Sequence, residues 1–246
     1  MDEYKVDLCK QRENILSNSG LRSYFSFLYE IVNLELEKFD SILEVGAGAA
    51  ISEIFLKQRM VRTDILPFNE FDVMGHCSME NLPFKESQFD AVLAFDSIHH
   101  SKKPSKAILE LLRVTREGGK IILVEPFVSP LSYLPYKMFH HEDTSWDFRE
   151  KDSIELSSRN LNPEMGNQGV SRFIINQLSN WRSTIFPELT VSITYLSPFS
   201  FFATGGVSSP LKTPKIFVNF LIYIEKLIPN FIMKFLASRV IFTITK

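Results

Sequence analysis

Only two cysteines, Cys9 and Cys77, occur in 246 residues, and they lie far apart. That scarcity excludes a disulfide framework and points to buried thiols in a reducing compartment. The opening Met1-Asp2-Glu3-Tyr4-Lys5 has no secretory apolar core, and no uninterrupted apolar run is long enough to span a bilayer. A cytoplasmic location is the expectation. An excess of basic charge is missing too. Lys and Arg number 27 against 29 Asp and Glu, a net charge of -2, so no bulk positive field draws the chain to nucleic acid. The rest is ordinary for a globular chain, 45% apolar and 23% charged, with length enough for one large α/β core. Phenylalanine is the exception, with 22 residues, many of them in the last third.

The first half alternates strand and helix. Leu21, Phe25, Leu28 and Val32 have helical spacing, which predicts an amphipathic helix over 21–38. Strands are predicted at 41–45, 61–65, 71–74, 89–95 and 120–125, with helices over 51–58 and from Pro104 to Gly118-Gly119. Alternation of this kind predicts a Rossmann-like, doubly wound α/β sheet, mostly parallel and covered on both faces. Residues 126–167 read as an irregular insertion, 168–186 as a helix, 190–196 as a strand, 197–212 as a loop, 215–236 as helix broken at Pro229, and 239–245 as a last strand. The expected organisation is a single domain over 1–246. N-terminal helices fill 1–40, a binding core 41–126, a helical or irregular cap 127–187, and C-terminal strands with an apolar helical insertion 188–246.

Ligands of such sheets sit beyond the carboxyl ends of the strands. Glu44, Gly46, Asp64, Asp96 and Glu125 all fall at those ends. Ile42-Leu43-Glu44-Val45-Gly46-Ala47-Gly48 reads as a buried strand entering a tight glycine turn, where backbone approaches a nucleotide closely. Asp64 ends the next strand, where α/β nucleotide folds place a carboxylate on the ribose. Three ligands compete for this turn. A dinucleotide asks for a third glycine, and the chain has Ile51 there; a P-loop asks for Gly-Lys-Ser/Thr, which is absent. S-adenosylmethionine carries no phosphate and needs neither.

On these residues the chain resembles the class I S-adenosylmethionine-dependent methyltransferases, in the type 11 group, over about residues 40–126. Glu44-Val45-Gly46-Ala47-Gly48 is similar to the first motif, and Asp64 to the ribose-binding acid. Ser78-Met79-Glu80-Asn81-Leu82-Pro83-Phe84 is similar to the adenine-side segment, with Ser78 in place of the usual aspartate. Phe95-Asp96-Ser97-Ile98-His99-His100 resembles the fourth-strand motif, and Leu112–Lys120 the Arg-Val-Leu-Lys-Pro-Gly-Gly element. The resemblance implies S-adenosylmethionine held by Glu44, Gly46, Ala47, Gly48, Asp64, Ser78, Met79 and Asp96. It also implies seven strands with the last antiparallel, 190–196 and 239–245 forming the final pair. His99 and His100 are the candidate proton acceptors. The implied activity is methyl transfer to a small-molecule, sugar or lipid-linked acceptor, first of all a hydroxyl. Two other readings stand beside it: a cofactor-binding protein without turnover, and a membrane-docked partner protein.

His140-His141-Glu142-Asp143 lacks the spacing of a zinc motif, so no metal is expected; the cluster reads instead as an acceptor-pocket wall or as surface. Tyr133, Tyr136 and Trp146 either line that pocket or cover the sheet. Residues 211–239 combine a dense apolar series with Lys212, Lys215, Lys226, Lys234 and Arg239, and only Glu225 is acidic. Packing on the sheet or a second subunit, or peripheral contact with anionic lipid, accounts for that composition.

Overall fold

Alternate residues of the same strands point to opposite sides of the molecule, and both sides are buried. In the computed structural model, which describes residues 2–139, 143–150 and 166–246, with side chains from residue 6, six strands form one sheet. They are β1 (Ile42–Val45), β2 (Met60–Thr63), β3 (Phe89–Phe95), β4 (Thr115–Pro126), β5 (Thr190–Leu196) and β6 (Arg239–Thr245), in the order β2-β1-β3-β4-β6-β5. β2, β1, β3 and β4 pair in parallel, and β6 runs antiparallel between β4 and β5. This is the expected Rossmann-like sheet with its antiparallel last strand. Strand order reverses beside β1, where the glycine turn emerges.

Leu43, Val45, Val92 and Ala94 face one layer, built on the helices Pro104–Val114 and Val170–Thr184 through Ile108, Leu111, Ile174 and Trp181. Ile42, Ala91, Leu93 and Phe95 face the other, built on the helix Ser19–Leu36. The period-two alternation of a strand produces this division directly. Ser19–Leu36 starts behind Asn18, whose side chain accepts from the Leu21 N–H, and it buries Leu21, Tyr24, Phe25, Leu28, Tyr29 and Val32. That stripe forms an aromatic stack with the sheet: Tyr29 and Phe95 lie 4.6 Å apart at 12°. A preceding helix, Asp2–Ser17, and the helix Lys215–Lys226 lie against it, the latter through Val218 and Ile222.

Several expectations are corrected. Among the described residues the sheet has six strands, not seven. Residues 71–74 make only the isolated bridges Thr63–Met74 and Phe68–Val73, because the second bridge folds the segment back on itself. The helix from Pro104 stops at Val114 rather than at Gly118. Thr115 takes an extended backbone, its hydroxyl donates to the Leu111 carbonyl 2.7 Å away, and the residue pairs with Phe89. The helix expected over 51–58 is confined to Ser52–Phe55, and the segments 126–167 and 197–212 contain the short helices Tyr133–Phe139 and Ser200–Ala203.

Candidate active site

β1 ends in a turn that only small residues tolerate. Gly46 has φ +65° and Gly48 φ +51°, left-handed values that cost a side-chain-bearing residue energy. At Gly46 a Cβ would also lie 2.4 Å from the Cβ of Ser97 and 3.4 Å from Cε of Met79. The glycine is thus required by a neighbouring strand end, and the contact draws the turn, the β3 rim and the 78–84 segment together. At Gly48 the nearest atom to a Cβ is on Leu8, at 3.6 Å. The first helix lies over this part of the turn: Arg12 donates to the carbonyls of Ala49 and Ala50, the former at 2.8 Å.

Asp64 follows β2 and reaches the same turn. One carboxylate oxygen accepts the Gly48 N–H at 2.8 Å and the other the Leu66 N–H at 2.8 Å. Burial raises its pKa above the usual carboxylate value, and these two N–H donors pull against that rise. Each oxygen keeps a second lone pair for a ligand hydroxyl. Along Gly46-Ala47-Gly48 no cationic side chain donates among the described residues, and Arg12 donates to backbone carbonyls farther on. A carboxylate in this position suits the hydroxyls of a ribose.

Glu44 sits behind the turn. Only 2% exposed, it accepts from Ser52 Oγ at 2.5 Å and pairs with Arg62 Nε at 3.1 Å, while Arg62 also reaches Glu53 at 3.3 Å. Burial pushes the Glu44 carboxyl up to about 7, opposed by the Ser52 hydrogen bond and the Arg62 charge. The folded state therefore holds this proton more tightly than the unfolded chain. The stabilisation is complete below the unfolded value of 4.5 and is lost as pH rises through about 7. Between about pH 5 and about pH 8 the stability advantage of wild type over Glu44→Gln is expected to shrink by roughly 2–3 kcal/mol. Urea titrations of both proteins across that range check it; a constant difference refutes the assignment.

At the β3 rim, Asp96 adopts φ +49° and its carboxylate pairs with the buried Arg239. Arg239 stands at the start of β6, opposite Pro126 of β4, with its guanidinium 4.7 Å from the centre of the Phe201 ring. It was grouped above with the candidate lipid-facing cations; the structure turns it inward. Next to Asp96, Ser97 Oγ donates to the Val45 carbonyl at 3.2 Å. Glu125, wholly buried, collects the following turn: its carboxylate accepts the N–H groups of Ser97 (3.2 Å), Ile98 (2.8 Å) and His99 (3.4 Å), and lies 2.5 Å from His99 Nδ1. The His99 and His100 rings are 4.2 Å apart. Ser78 Oγ accepts the Glu80 N–H at 3.2 Å, and Glu80 in turn accepts from Ser101 Oγ and the Lys103 N–H.

Gly46, Met79 and Ser97 therefore meet directly, and Asp64 meets Gly48. Glu44 is a layer below, and Ser78 is engaged in its own local turn. Ser97, Arg239 and Arg12 were not singled out as site residues. Glu125 had a visible signal, a lone acid ending an apolar strand, whereas the other three had none. His140, His141 and Glu142 lie outside the described residues; among those described, no three His, Cys, Asp or Glu side chains are grouped to hold a metal. Of the three aromatics, Tyr136 is buried and donates to the Ser238 carbonyl at 2.6 Å, and Tyr133 meets Trp146 edge-on.

Residues 43–123, which contain the turn, Asp64 and the whole β3 rim, match the family model described as a methyltransferase domain. These residues, about a third of the chain, are similar to a methyltransferase domain. Two demethylmenaquinone methyltransferases resemble it in sequence: one from Renibacterium salmoninarum, 38% identical over 61 residues, and one from Paenarthrobacter aurescens, 40% over 45. The first match covers 25% of each chain and the second 18%, so this chain spans a quarter or less of the relatives it matches. Among solved structures, a SAM-dependent methyltransferase from Archaeoglobus fulgidus is 13% identical with a TM-score of 0.54, covering 92% of this chain and 94% of that one. A SAM-dependent methyltransferase from Thermotoga maritima, described as a possible histamine N-methyltransferase, is 17% identical with a TM-score of 0.50, covering 100% and 95%. At such identities the likeness is one of fold.

Proposed function

We propose that this chain is a methyltransferase acting on a small-molecule acceptor, and that the acceptor is a hydroxyl on a lipid-linked or sugar compound. The observation that carries the reading is Asp64 bonded to the Gly48 N–H across a neutral glycine turn. When bound, S-adenosylmethionine supplies an electrophilic methyl on a good leaving group. The protein's work is then mostly orientation. Asp64 and the backbone of Gly46, Ala47 and Gly48 hold the nucleoside, and Met79 offers an apolar wall on the adenine side. Glu44 supports the turn from behind. Asp96 and Arg239 form the polar floor on the side where β3 and β4 end and β6 begins.

A hydroxyl acceptor loses a proton as it is methylated, and His99 is the better candidate to take it. Its Nδ1 faces the Glu125 carboxylate, which favours the tautomer with hydrogen on Nδ1 and leaves Nε2 as the basic nitrogen. His99→Gln is expected to leave S-adenosylhomocysteine affinity intact while lowering kcat by roughly 100-fold, the lower range for general-base loss. His100→Gln is expected to act far less. The two relatives named for demethylmenaquinone favour a small organic acceptor over a macromolecule. Calorimetry with S-adenosylmethionine, followed by turnover across pools of hydroxylated lipid-linked and sugar acceptors, tests the proposal. Absent cofactor binding overturns it, and binding without turnover on any pool makes the chain a cofactor-binding protein.

A further inference from the structure

The helix Lys215–Lys226 carries two apolar stripes. Val218 and Ile222 face inward, where they meet the core around Ser19–Leu36. Ile216, Phe220, Tyr223, Ile224 and Leu227 follow helical spacing on the outside, with Ile216 84% exposed and Leu227 65% exposed. The next helix, Asn230–Leu236, sends only Met233 inward and leaves Phe231 69% exposed, with Ile232 and Phe235 exposed beside it. The Leu131 N–H donates to the Phe235 carbonyl at 3.2 Å, which brings the segment bearing the exposed Leu131, Leu134 and Met138 alongside. These two helices and the 131–138 segment carry exposed apolar side chains far more densely than scattered surface hydrophobes.

Its charge has one sign. Lys215 and Lys234 are cations of residues 211–236, and Lys137 stands on the adjoining helix, while Lys212 donates to Asn14 and Ser17 and Lys226 lies 5.0 Å from the Phe27 ring centre. The single acid of that stretch, Glu225, is turned inward, accepting the N–H groups of Phe199 and Ser200 and the Ser200 hydroxyl. Lys234 lies 4.9 Å from the centre of the Phe235 ring, so cation and apolar ring share one face. In a two-fold pairing of this surface, lysines would meet lysines, and charge disfavours a second copy. Anionic lipid headgroups above an acyl layer satisfy both features at once. Among the described residues no helix is long and apolar enough to cross a membrane, so the contact is one that lies on the bilayer.

We propose that the helices of residues 215–236, with the adjoining 131–138 segment, form a peripheral membrane-docking face that selects anionic lipid. Topology gives the face a further meaning. Residues 127–139 leave the carboxyl end of β4, 197–238 leave that of β5, and β6 starts at the same rim, where Arg239 pairs with both Pro126 and Leu196. Both segments of the face thus start from the rim of the sheet that holds Asp96 and His99. The inference stands on surface chemistry and does not depend on the reaction assigned above.

Flotation of the full chain with phosphatidylcholine vesicles, with and without phosphatidylglycerol, tests it. Binding is expected with phosphatidylglycerol, reduced by salt and weak without it. Phe220→Glu, Leu227→Glu and Phe231→Glu together are expected to abolish flotation with no change in melting temperature, because all three side chains are already solvated. Lys215→Gln and Lys234→Gln give a second, milder arm, each expected to weaken binding roughly fivefold. Failure to float with phosphatidylglycerol overturns the proposal, as does equal binding to neutral vesicles. A wild-type dimer in sedimentation equilibrium that the triple variant dissociates, with no vesicle-bound fraction, assigns the face to a second copy and overturns it too.

Discussion

Glu125→Ala is expected to cost roughly 3–5 kcal/mol of folding stability, the range for removing one partner from a buried charged network. The side chain is wholly buried, and it terminates the N–H groups of Ser97, Ile98 and His99 together with His99 Nδ1. Alanine fills none of these roles, and no water-filled gap beside the strand replaces the carboxylate without cost. For a chain of this size the melting temperature is expected to fall by roughly 10 °C. Glu125→Gln keeps an acceptor oxygen for the backbone donors, so it is expected to recover much of the stability. It withdraws the negative charge facing His99, however, so kcat is expected to stay low. Urea denaturation of the two variants beside wild type decides the point. A loss below about 1 kcal/mol for alanine means the turn after β3 is held by other contacts.

Asp64→Ala is expected to weaken S-adenosylhomocysteine binding by roughly 10- to 100-fold, the equivalent of a lost charge-assisted hydrogen bond. The effect has two sources that one variant cannot separate. The carboxylate is a ligand acceptor, and it also fixes the Gly48 and Leu66 N–H groups. Asp64→Asn separates them, since its amide oxygen retains one backbone contact while the charge is gone. If Asn binds as tightly as Asp, the residue only shapes the turn. Unchanged affinity in the alanine variant removes Asp64 from the cofactor site altogether. Gly46 offers no comparable separation: its Cβ position already meets Ser97, so a larger residue there disturbs the fold before it meets any ligand.

Much of this molecule is legible before any coordinates. Alternating strands and helices, the Gly46–Gly48 turn and a lone acid at the end of β2 are local signals, because backbone conformation and burial period are set within a few residues. The 71–74 segment misled for the same reason. Phe71 and Val73 have strand-like composition, yet a bridge back to Phe68 outcompetes extension along β2. Gly118-Gly119 looked like a helix end, while Thr115, a β-branched residue able to bond its own helix, stops the helix earlier. The candidate site divides in the same manner. Gly46, Asp64 and Met79 could be read from their motifs. Ser97 against Gly46, and Arg239 against Asp96, pair residues that stand 51 and 143 positions apart, and no local pattern announces them.

Composition and spacing therefore settle the class of fold, the place of the glycine turn and the acid beside it, because each depends on chain neighbours and on a repeat of two or three to four residues. Folding alone settles the direction of individual side chains. Glu44 goes under the turn to Arg62, Glu125 goes to the backbone after β3, and Glu225 and Arg239 go inward while their neighbouring lysines stay out. Those choices rest on which distant donors happen to converge in a water-poor space, where an unpartnered charge is too costly to keep, and that convergence exists only once the sheet is assembled.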